Sequence, residues 1–456
     1  LKYRYGAMHL RISPFTILVG QLILFVALCS CRPLTVDRRA QSMLNPTNGT
    51  AENEEEKPGD QDVIAEDHLP PDLEPELDED FGDGDSKADD QKPSPSENST
   101  DFPKTYSSAL VKEFDKKYGN STRLLDGFKS KRAPALWSEA GYLESLIDLY
   151  LFTKHPKYID QLITHYDYLF DQRDDRRKDK RKDELRGKVM PAWGTDAYTC
   201  GYHYVHVAHN GALLNAAAVF VRLVHEDKYL KDHYLKKAEL YLKLMQETIE
   251  AFDVQWKSNR YVYPTALKNI KSCKPGYRNI RYQTFVGKDL PYNMSLEMGR
   301  VFVELASLKN NAAFVKKVRR KLAKLIEYYK DAISSGTKPD TYLWHYARGG
   351  RVEDVAHANT GISFIVGAYE QGHGFNKTYI RKFANTFMKT IVQSNGDLAS
   401  HVDGTKSADK KRFNKACTDW QALTPYEPKI YKVCQNLYIS GHKTSDMLSN
   451  LIRYDK

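Results

Sequence analysis

The residue types with the most chemical potential are concentrated in one short stretch near position 350. Tyr346, Arg348, Glu353 and His357 place a phenol, a guanidinium, a carboxylate and an imidazole close together in the chain. Such a set can neutralise a substrate carboxylate, remove a weakly acidic proton and protonate a leaving oxygen. The stretch therefore predicts acid–base chemistry where a loop leads into a helix.

Two earlier segments repeat this arrangement, with polar and aromatic residues directly before an apolar run. One holds His209 and Asn210, and the other holds Tyr292 and Asn293. If the helix starts converge, the predicted catalytic residues are His357, Tyr346, His209, Asn210 and Arg348. The predicted substrate-binding residues, chosen mainly as aromatic walls for sugar rings, are Trp193, Tyr202, Tyr204, Tyr292, Asn293, Trp344 and Glu353.

Each of these residues also has a simpler interpretation as part of a helix end. Asparagine and aspartate are good N-terminal caps, and acidic residues complement the helix dipole. A histidine at such a position is often a hydrogen-bonded core residue. The recurrence of the same polar-then-apolar pattern at three helices favours a shared site over capping alone.

The elements that must position these residues are helices of two kinds. Runs that are apolar nearly all round, such as 354–369, alternate with lysine-rich amphipathic runs such as 228–252 and 311–334. A ring of helical hairpins needs this alternation, because its inner helices are covered on all sides. We therefore predict an all-α fold, an (α/α) toroid or incomplete barrel of four to seven hairpins, with short strands in loops near 261–263 and 342–344.

The first quarter of the chain has a different composition. An apolar run at 14–31 behind Arg11 predicts a signal peptide or an N-terminal anchor over residues 1–31. Residues 51–90 hold eighteen Asp and Glu against two Lys, which predicts an acidic, disordered linker over 32–105. The catalytic domain is then expected over 106–456, in a secreted protein or, with an uncleaved type II anchor, in the Golgi lumen.

The remaining globular part is strongly basic. Subtracting the first 104 residues from the whole-chain charge of +9 leaves about +20. Many of these cations can simply solvate outer helices, but they also suit a polyanion, which in the secretory pathway is an acidic polysaccharide. We expect an acidic polysaccharide substrate, no nucleic-acid partner, and membrane contact only through a possible anchor.

Cysteine usage agrees with an oxidising compartment. Beyond the targeting segment the chain has Cys200, Cys273, Cys417 and Cys434, which allow three pairings. We predict the pairs Cys200 with Cys273 and Cys417 with Cys434. The spacing does not suggest zinc, so no cofactor is expected, although a divalent cation stays possible. Five glycosylation sequons fit the same compartment, at Asn48, Asn98, Asn120, Asn293 and Asn376.

The segments around His209-Asn210, Tyr292-Asn293 and 353–359 resemble inner-helix motifs of the (α/α)-toroid polysaccharide lyases, particularly the alginate and glucuronan types. The resemblance covers about residues 130–440. It implies β-elimination on a uronate-containing polysaccharide, with Asn210 and Arg348 neutralising the carboxylate. It further implies His357 or His209 as the base and a tyrosine, Tyr346 or Tyr292, as the acid.

Three other functions fit the same residues. A uronate C5-epimerase shares the proton abstraction but returns the proton to the opposite face of the sugar. A glycoside hydrolase needs two facing carboxylates, drawn from Asp196, Glu297, Glu353 and Asp354. A glycan-binding protein would use the aromatic cleft without turnover. Product analysis distinguishes all four functions.

Overall fold

The structure is a computed structural model that describes most of the expected catalytic domain. The described residues are 109–119, 134–196, 199–277, 281–310, 312–405 and 410–455. The predicted signal or anchor, the acidic linker and the sequons at Asn48, Asn98 and Asn120 lie outside these ranges. Everything below concerns the described residues.

Helices dominate the described chain, as the hydrophobic periodicity predicts. The α-helices are α1 (Ala109–Tyr118), α2 (Pro134–Thr153), α3 (Lys157–Asp171), α4 (Val207–Glu226), α5 (Lys228–Ala251), α6 (Tyr292–Ala306), α7 (Ala313–Lys330), α8 (Val355–Glu370), α9 (Lys377–Thr386), α10 (Lys410–Lys415), α11 (Lys429–Ile439) and α12 (Ser445–Arg453). Short 3-10 helices add Asp253–Gln255, Thr265–Asn269, Tyr282–Phe285 and Asp419–Leu423, and a π-helical turn, Phe387–Ile391, continues α9.

Strands are short and confined to loops. They form four two-stranded antiparallel ribbons: β1 (Lys182–Asp183) with β2 (Lys188–Val189), β3 (Gly194–Thr195) with β4 (Tyr204–Val205), β5 (Trp256–Lys257) with β6 (Arg260–Tyr261), and β7 (Ser334–Ser335) with β8 (Tyr342–Leu343). The last two ribbons overlap the positions where the sequence predicts strands.

Six elements form a closed inner ring. Each of α2, α4, α6, α8, the Asp419–Leu423 turn and α12 packs against the next, and α12 returns to α2. The closing contact includes Asp148, whose carboxylate accepts hydrogen bonds from Ser449 Oγ at 3.1 Å and Arg453 Nη1 at 2.9 Å. The helices α3, α5, α7, α9, α11 and α1 alternate with the ring elements along the chain, so the predicted all-α toroid is confirmed.

The inner helices run parallel to one another. Along α2 and α4, Trp137 contacts His209 near the helix starts, and two turns later Glu144 contacts Asn215. The long loops 172–206, 252–291 and 331–354 therefore meet at the end of the ring where inner helices begin, which we call the mouth. Short connections join inner to outer helices at the opposite end.

Helix α4 shows why the inner helices are apolar. Among the described residues it is the helix long and apolar enough to cross a membrane, yet 83% of its most apolar window is buried inside the protein. Gly211 lets α4 approach α6 closely, because a Cβ there would lie 2.5 Å from the backbone of Glu297 and Met298. Complete burial between neighbouring helices explains this composition.

The two disulfides match the predicted pairing. Cys200–Cys273 joins the loops 172–206 and 252–291, which we call the rim loops, and a small second core forms around it. Cys417–Cys434 ties the segment before the Asp419–Leu423 turn to α11. One disulfide thus fixes the mouth, and the other fixes the shortest element of the inner ring.

Candidate active site

The predicted residues near position 350 do come together at the start of α8. Asp354 caps the helix, since its Oδ1 accepts hydrogen bonds from the backbone N–H of Ala356 at 3.1 Å and of His357 at 3.0 Å. Its Oδ2 lies 2.5 Å from His357 Nδ1. The same carboxylate therefore fixes both the helix end and the orientation of the imidazole.

Tyr346 and Arg351 cover this pair. The ring of Tyr346 stands edge-on to His357 at 5.1 Å, and the guanidinium of Arg351 lies 5.3 Å from the Tyr346 ring and 3.7 Å from Asp354 Oδ2. We call Tyr346, Arg351, Glu353, Asp354 and His357 the mouth cluster. It can orient an imidazole for proton transfer beside a phenol.

Glu353 completes the mouth cluster from within the protein. Its side chain is buried, and donor atoms of Glu353, Asp354 and His357 lie within 4.8 Å of one another. Such a donor set is chemically able to hold a divalent cation, although the Arg351 guanidinium beside Asp354 disfavours a second positive charge there.

The start of α6 adjoins this region. The backbone N–H of Tyr292 donates to the carbonyl of Tyr346 at 2.9 Å, and Arg348 lies over the ring of Tyr328, which packs on Tyr292. Burial raises the pKa of the Tyr292 phenol, opposed by a hydrogen bond with Tyr328 and the charge of Arg348. The structure therefore brings Tyr292 and Arg348 to the mouth, as predicted.

His209 lies deeper, at the start of α4. It is buried against Trp137 and His206, with ring centroids 5.0 Å away in both contacts. Burial lowers the pKa of His209 to about 3. The imidazole is neutral at physiological pH, and a pKa this low makes it a weak base.

Asn210 and the two predicted tryptophan walls serve the core. The amide of Asn210 accepts from the backbone N–H of Trp193 and donates to the carbonyls of Trp193 and His206. Trp193 is 2% exposed, and Trp344 is fully buried against Phe383 and Trp420. An engaged amide cannot neutralise a uronate, and a buried indole offers no surface to a sugar ring.

The remaining predicted groups are distributed around the mouth. Tyr202 donates to the carbonyl of Ser272 at 3.0 Å across the rim loops, and Tyr204 is buried in their small core. Asn293 is half-buried, and its Oδ1 accepts from the next backbone N–H. Asp196 also lies on a rim loop. These placements do not join them to the mouth cluster.

A second polar cluster, which the sequence did not reveal as a unit, lies inside the ring. Arg300 on α6 pairs with Glu144 on α2 at 2.6 Å and with Glu297 at 3.2 Å. Asn215 donates to Glu144 at 3.1 Å, and Thr360 donates to Glu297 at 2.7 Å. Four inner helices therefore meet at one buried guanidinium.

Asp419 brings a different carboxyl group to this place. Burial, followed by the neighbouring carboxylates of Glu144, Asp446 and Glu297, raises its pKa to about 8, while Arg300 partly opposes the shift. We call Glu144, Glu297, Arg300 and Asp419 the ring-centre cluster. It combines a carboxyl that is largely protonated at neutral pH with others held by hydrogen-bond donors.

Three members of the ring-centre cluster, Glu144, Arg300 and Asp419, line a cavity of about 120 Å³ inside the ring. Residues from all six ring elements line it, in the half of the inner helices away from the mouth. Its charged lining residues are Glu144, Asp148, Glu304, Glu370, Asp419, Arg222, Arg300 and Arg453. Burial, together with a neighbouring carboxylate in each case, raises the pKa of Glu370 and Asp148 as well.

Comparisons with known proteins give matches among solved structures. No family model and no curated protein matches the chain. A solved structure of an inactive variant of the α-1,6-mannanase GH76A of Salegentibacter sp., in complex with α-1,6-mannotriose, is similar over 70% of this chain and 87% of its own, with 10% identity and a TM-score of 0.40. The similarity concerns the arrangement of helices.

The prediction of a polysaccharide lyase, a carbon–oxygen lyase, is contradicted. The similar structure is named an α-1,6-mannanase, which is not a lyase. The chain's own geometry agrees, because Asn210, which the lyase mechanism needs for the uronate carboxylate, is committed to Trp193 and His206.

Proposed function

We propose that the chain is a glycoside hydrolase that cleaves a polysaccharide inside the toroid, with Asp419 as general acid and Glu144 as the second catalytic carboxyl group. The observation that supports this most is the presence of both groups on one cavity in opposite environments. When two carboxyl groups of one site lie in different environments, one can act as the acid and the other as the base or nucleophile.

The mechanism follows from these environments. Glycosidic cleavage needs one protonated carboxyl to donate to the leaving oxygen and one carboxylate to activate water or attack the anomeric carbon. With a pKa near 8, Asp419 keeps its proton at neutral pH. Glu144 accepts hydrogen bonds from Arg300 and Asn215, which fix the position of its carboxyl group. Glu297, which accepts a hydrogen bond from Thr360, pairs with Arg300 from the other side.

The charge distribution supports an acidic polymer at the mouth and an uncharged sugar in the ring. The rim loops hold seventeen Lys and Arg against eight Asp and Glu, whereas carboxylates exceed arginines around the cavity. An anionic sugar would be repelled from the cavity but attracted by the rim. With its two disulfides, the protein is proposed to act outside the cell or in the secretory lumen.

The test uses the full chain produced in an oxidising host. It is incubated with α-1,6-mannan, alginate, glucuronan, heparan sulfate and chondroitin sulfate, and new reducing ends are measured beside the near-ultraviolet absorbance of unsaturated uronates. Reducing ends that disappear with Asp419→Asn but persist with Asp148→Asn support the proposal, since Asp148 borders the same cavity but is bound by Arg453 and Ser449. Equal activity in both variants would contradict it.

One observation favours a second candidate, a uronate C5-epimerase centred on the mouth cluster. Asp354 orients His357, and Tyr346 stands 5.1 Å from that imidazole, an arrangement suited to moving a proton on and off carbon. An epimerase would exchange the C5 hydrogen of a uronate with deuterated water and leave chain length unchanged. Exchange that depends on His357 and Tyr346, without new reducing ends, would select this candidate.

A further inference from the structure

The five tryptophans of the chain lie in three kinds of surroundings. Trp193, Trp344 and Trp420 are buried in the core. Trp256 is half-buried, and packs against Phe302 and the Lys321 ammonium on the outer side of α6. Trp137 is half-buried as well, but it belongs to the inner helix α2. Among the five tryptophans, Trp137 is therefore the half-buried one that lies on a helix of the inner ring.

Helical geometry places Trp137 above the ring-centre cluster. Glu144, Ile147, Asp148 and Leu151 line the cavity, so they mark the face of α2 that is turned inward. Trp137 precedes Glu144 by seven residues, which is two helical turns and a rise of about 10 Å toward the mouth. The indole therefore lies on the inward face, between the mouth and the proposed catalytic carboxylates.

Its neighbour is suited to a neutral, stacked ligand. The His209 ring meets Trp137 at 5.0 Å with an interplanar angle of 80°, which fixes the indole without charging its surroundings. Because burial lowers the pKa of His209 to about 3, this imidazole brings no positive charge to the indole at neutral pH. Aromatic side chains bind sugars by packing against their apolar C–H faces, which requires a rigid indole with partial exposure.

We propose that Trp137 is the stacking platform for a sugar ring on the mouth side of the bond that is cleaved. The stacked sugar ring lies about two sugar residues from Glu144. This subsite rests on the proposed hydrolase function, because it is defined relative to Glu144 and Asp419. It replaces the walls that the sequence assigned to Trp193 and Trp344. A glycan entering from the mouth passes the basic rim loops first, then Trp137, and then the ring-centre cluster.

The test separates binding from hydrolysis. Mannohexaose and an alginate hexasaccharide are titrated into the full chain carrying Asp419→Asn, and then into the same chain carrying Trp137→Ala or Trp137→Phe in addition. The expected result is at least a tenfold weaker affinity for the bound hexasaccharide with Trp137→Ala, and a smaller loss with Trp137→Phe because an aromatic surface remains. Trp256→Ala in the same background is the control, since that indole packs on the outer side of α6.

The outcomes are distinguishable. Unchanged affinity in a folded Trp137→Ala variant overturns the platform and leaves the hydrolase proposal standing. Failure of the Asp419→Asn chain to bind either hexasaccharide also overturns the platform. Weaker binding in the Trp137 variants supports a sugar site at Trp137. If the Asp419→Asn chain still hydrolyses fully, the assignment of Asp419 as the acid is overturned while that sugar site is retained. In the active chain, Trp137→Ala should raise KM on the polymer and leave kcat nearly unchanged, whereas a collapse of both with a lowered Tm would show a merely structural role.

Discussion

The mouth cluster and the ring-centre cluster are built in opposite ways. The mouth cluster comes from one continuous segment, Tyr346 to His357, and its geometry follows from a single helix cap. The ring-centre cluster takes Glu144 from α2, Glu297 and Arg300 from α6, and Asp419 from the Asp419–Leu423 turn. The first cluster can form as soon as α8 begins, whereas the second exists once the ring has closed.

Their electrostatics differ for the same reason. In the mouth cluster the carboxylate of Asp354 is neutralised locally by N–H groups and an imidazole. Ring closure instead buries Asp419 among several carboxylates around one guanidinium, and burial, followed by the surplus of carboxylates, raises the pKa of Asp419. Buried groups with shifted pKa values are candidates for catalysis, so the comparison favours the ring centre as the place of bond cleavage.

The largest expected effect is on turnover when the acid of the ring centre is removed. Asp419→Asn keeps the size of the side chain but removes its proton, so hydrolysis should fall by about 10²- to 10⁴-fold. His357→Ala at the mouth should change hydrolysis far less and mainly lower the Tm. Turnover and Tm measured on both variants check this, and a larger loss of turnover with His357→Ala would transfer the chemistry to the mouth.

The next effect is on pH dependence, and it has a defined sign. Since the pKa of Asp419 rises from 3.8 to about 8 on folding, the folded chain binds more protons than the unfolded chain between these values. The free energy of unfolding should therefore fall as pH rises through this window. Hydrolysis should also fall as pH rises through about 8, because the acid loses its proton.

Asp419→Asn separates this group from the other buried carboxyls. Burial also raises the pKa of Glu370 and Asp446, so the parent chain should lose stability with pH through several groups. The variant should lose less stability over the same window, as measured by chemical denaturation at a series of pH values. An identical pH profile in parent and variant would show that Asp419 is not protonated at neutral pH.

Sequence patterns are sufficient for the toroid and the mouth but not for the ring centre. An apolar run such as α4 directly predicts a completely buried helix. The residues near position 350 are adjacent in the chain, so their proximity is visible in the sequence. Glu144 instead appears as one of three acids in a mostly apolar helix, and Asp419 belongs to a five-residue 3-10 turn that periodicity cannot detect. Acids at cavity-lining positions of α2, Glu144 and Asp148, are the signal that could have revealed an inward polar stripe.

The same limit explains the tryptophans. Trp193 and Trp344 adjoin predicted helix starts, but sequence proximity to a site does not determine whether an indole is exposed. The structure buries both, and Trp344 packs against Trp420, a residue of the Asp419–Leu423 turn, which follows much later in the chain. Such a contact depends on ring closure, and periodicity within one helix contains no information about it.

A smaller effect concerns the rim loops, which differ from the ring interior in charge. Their excess of Lys and Arg should retain the chain on a heparin column, and retention should weaken steeply as salt screens the exposed cations. Charge reversal at the exposed Lys268 and Lys271 should lower the eluting salt concentration, whereas reversal at Lys231 and Lys236 on the outer helix α5 is the control. Equal shifts for both pairs would show that the whole surface, and not the rim, binds the polyanion.

The smallest expected effect compares two helix caps of the same type. Asp354 caps α8 at the mouth, and Asp227 caps α5 at the opposite end of the ring, where its Oδ1 accepts from the Leu230 N–H at 2.9 Å. Asparagine is nearly as good a cap as aspartate, so Asp354→Asn and Asp227→Asn should each change the free energy of unfolding by about 0.5 kcal/mol or less.

These two variants decide what the mouth carboxylate adds beyond capping. An amide at position 354 preserves the helix end but no longer holds the His357 imidazole as a carboxylate does. If hydrolysis occurs at the ring centre, both variants should retain turnover within a factor of about three. A selective loss of turnover in Asp354→Asn, at unchanged Tm, would mean that the oriented imidazole takes part in the reaction, and the epimerase assay would then be the decisive measurement.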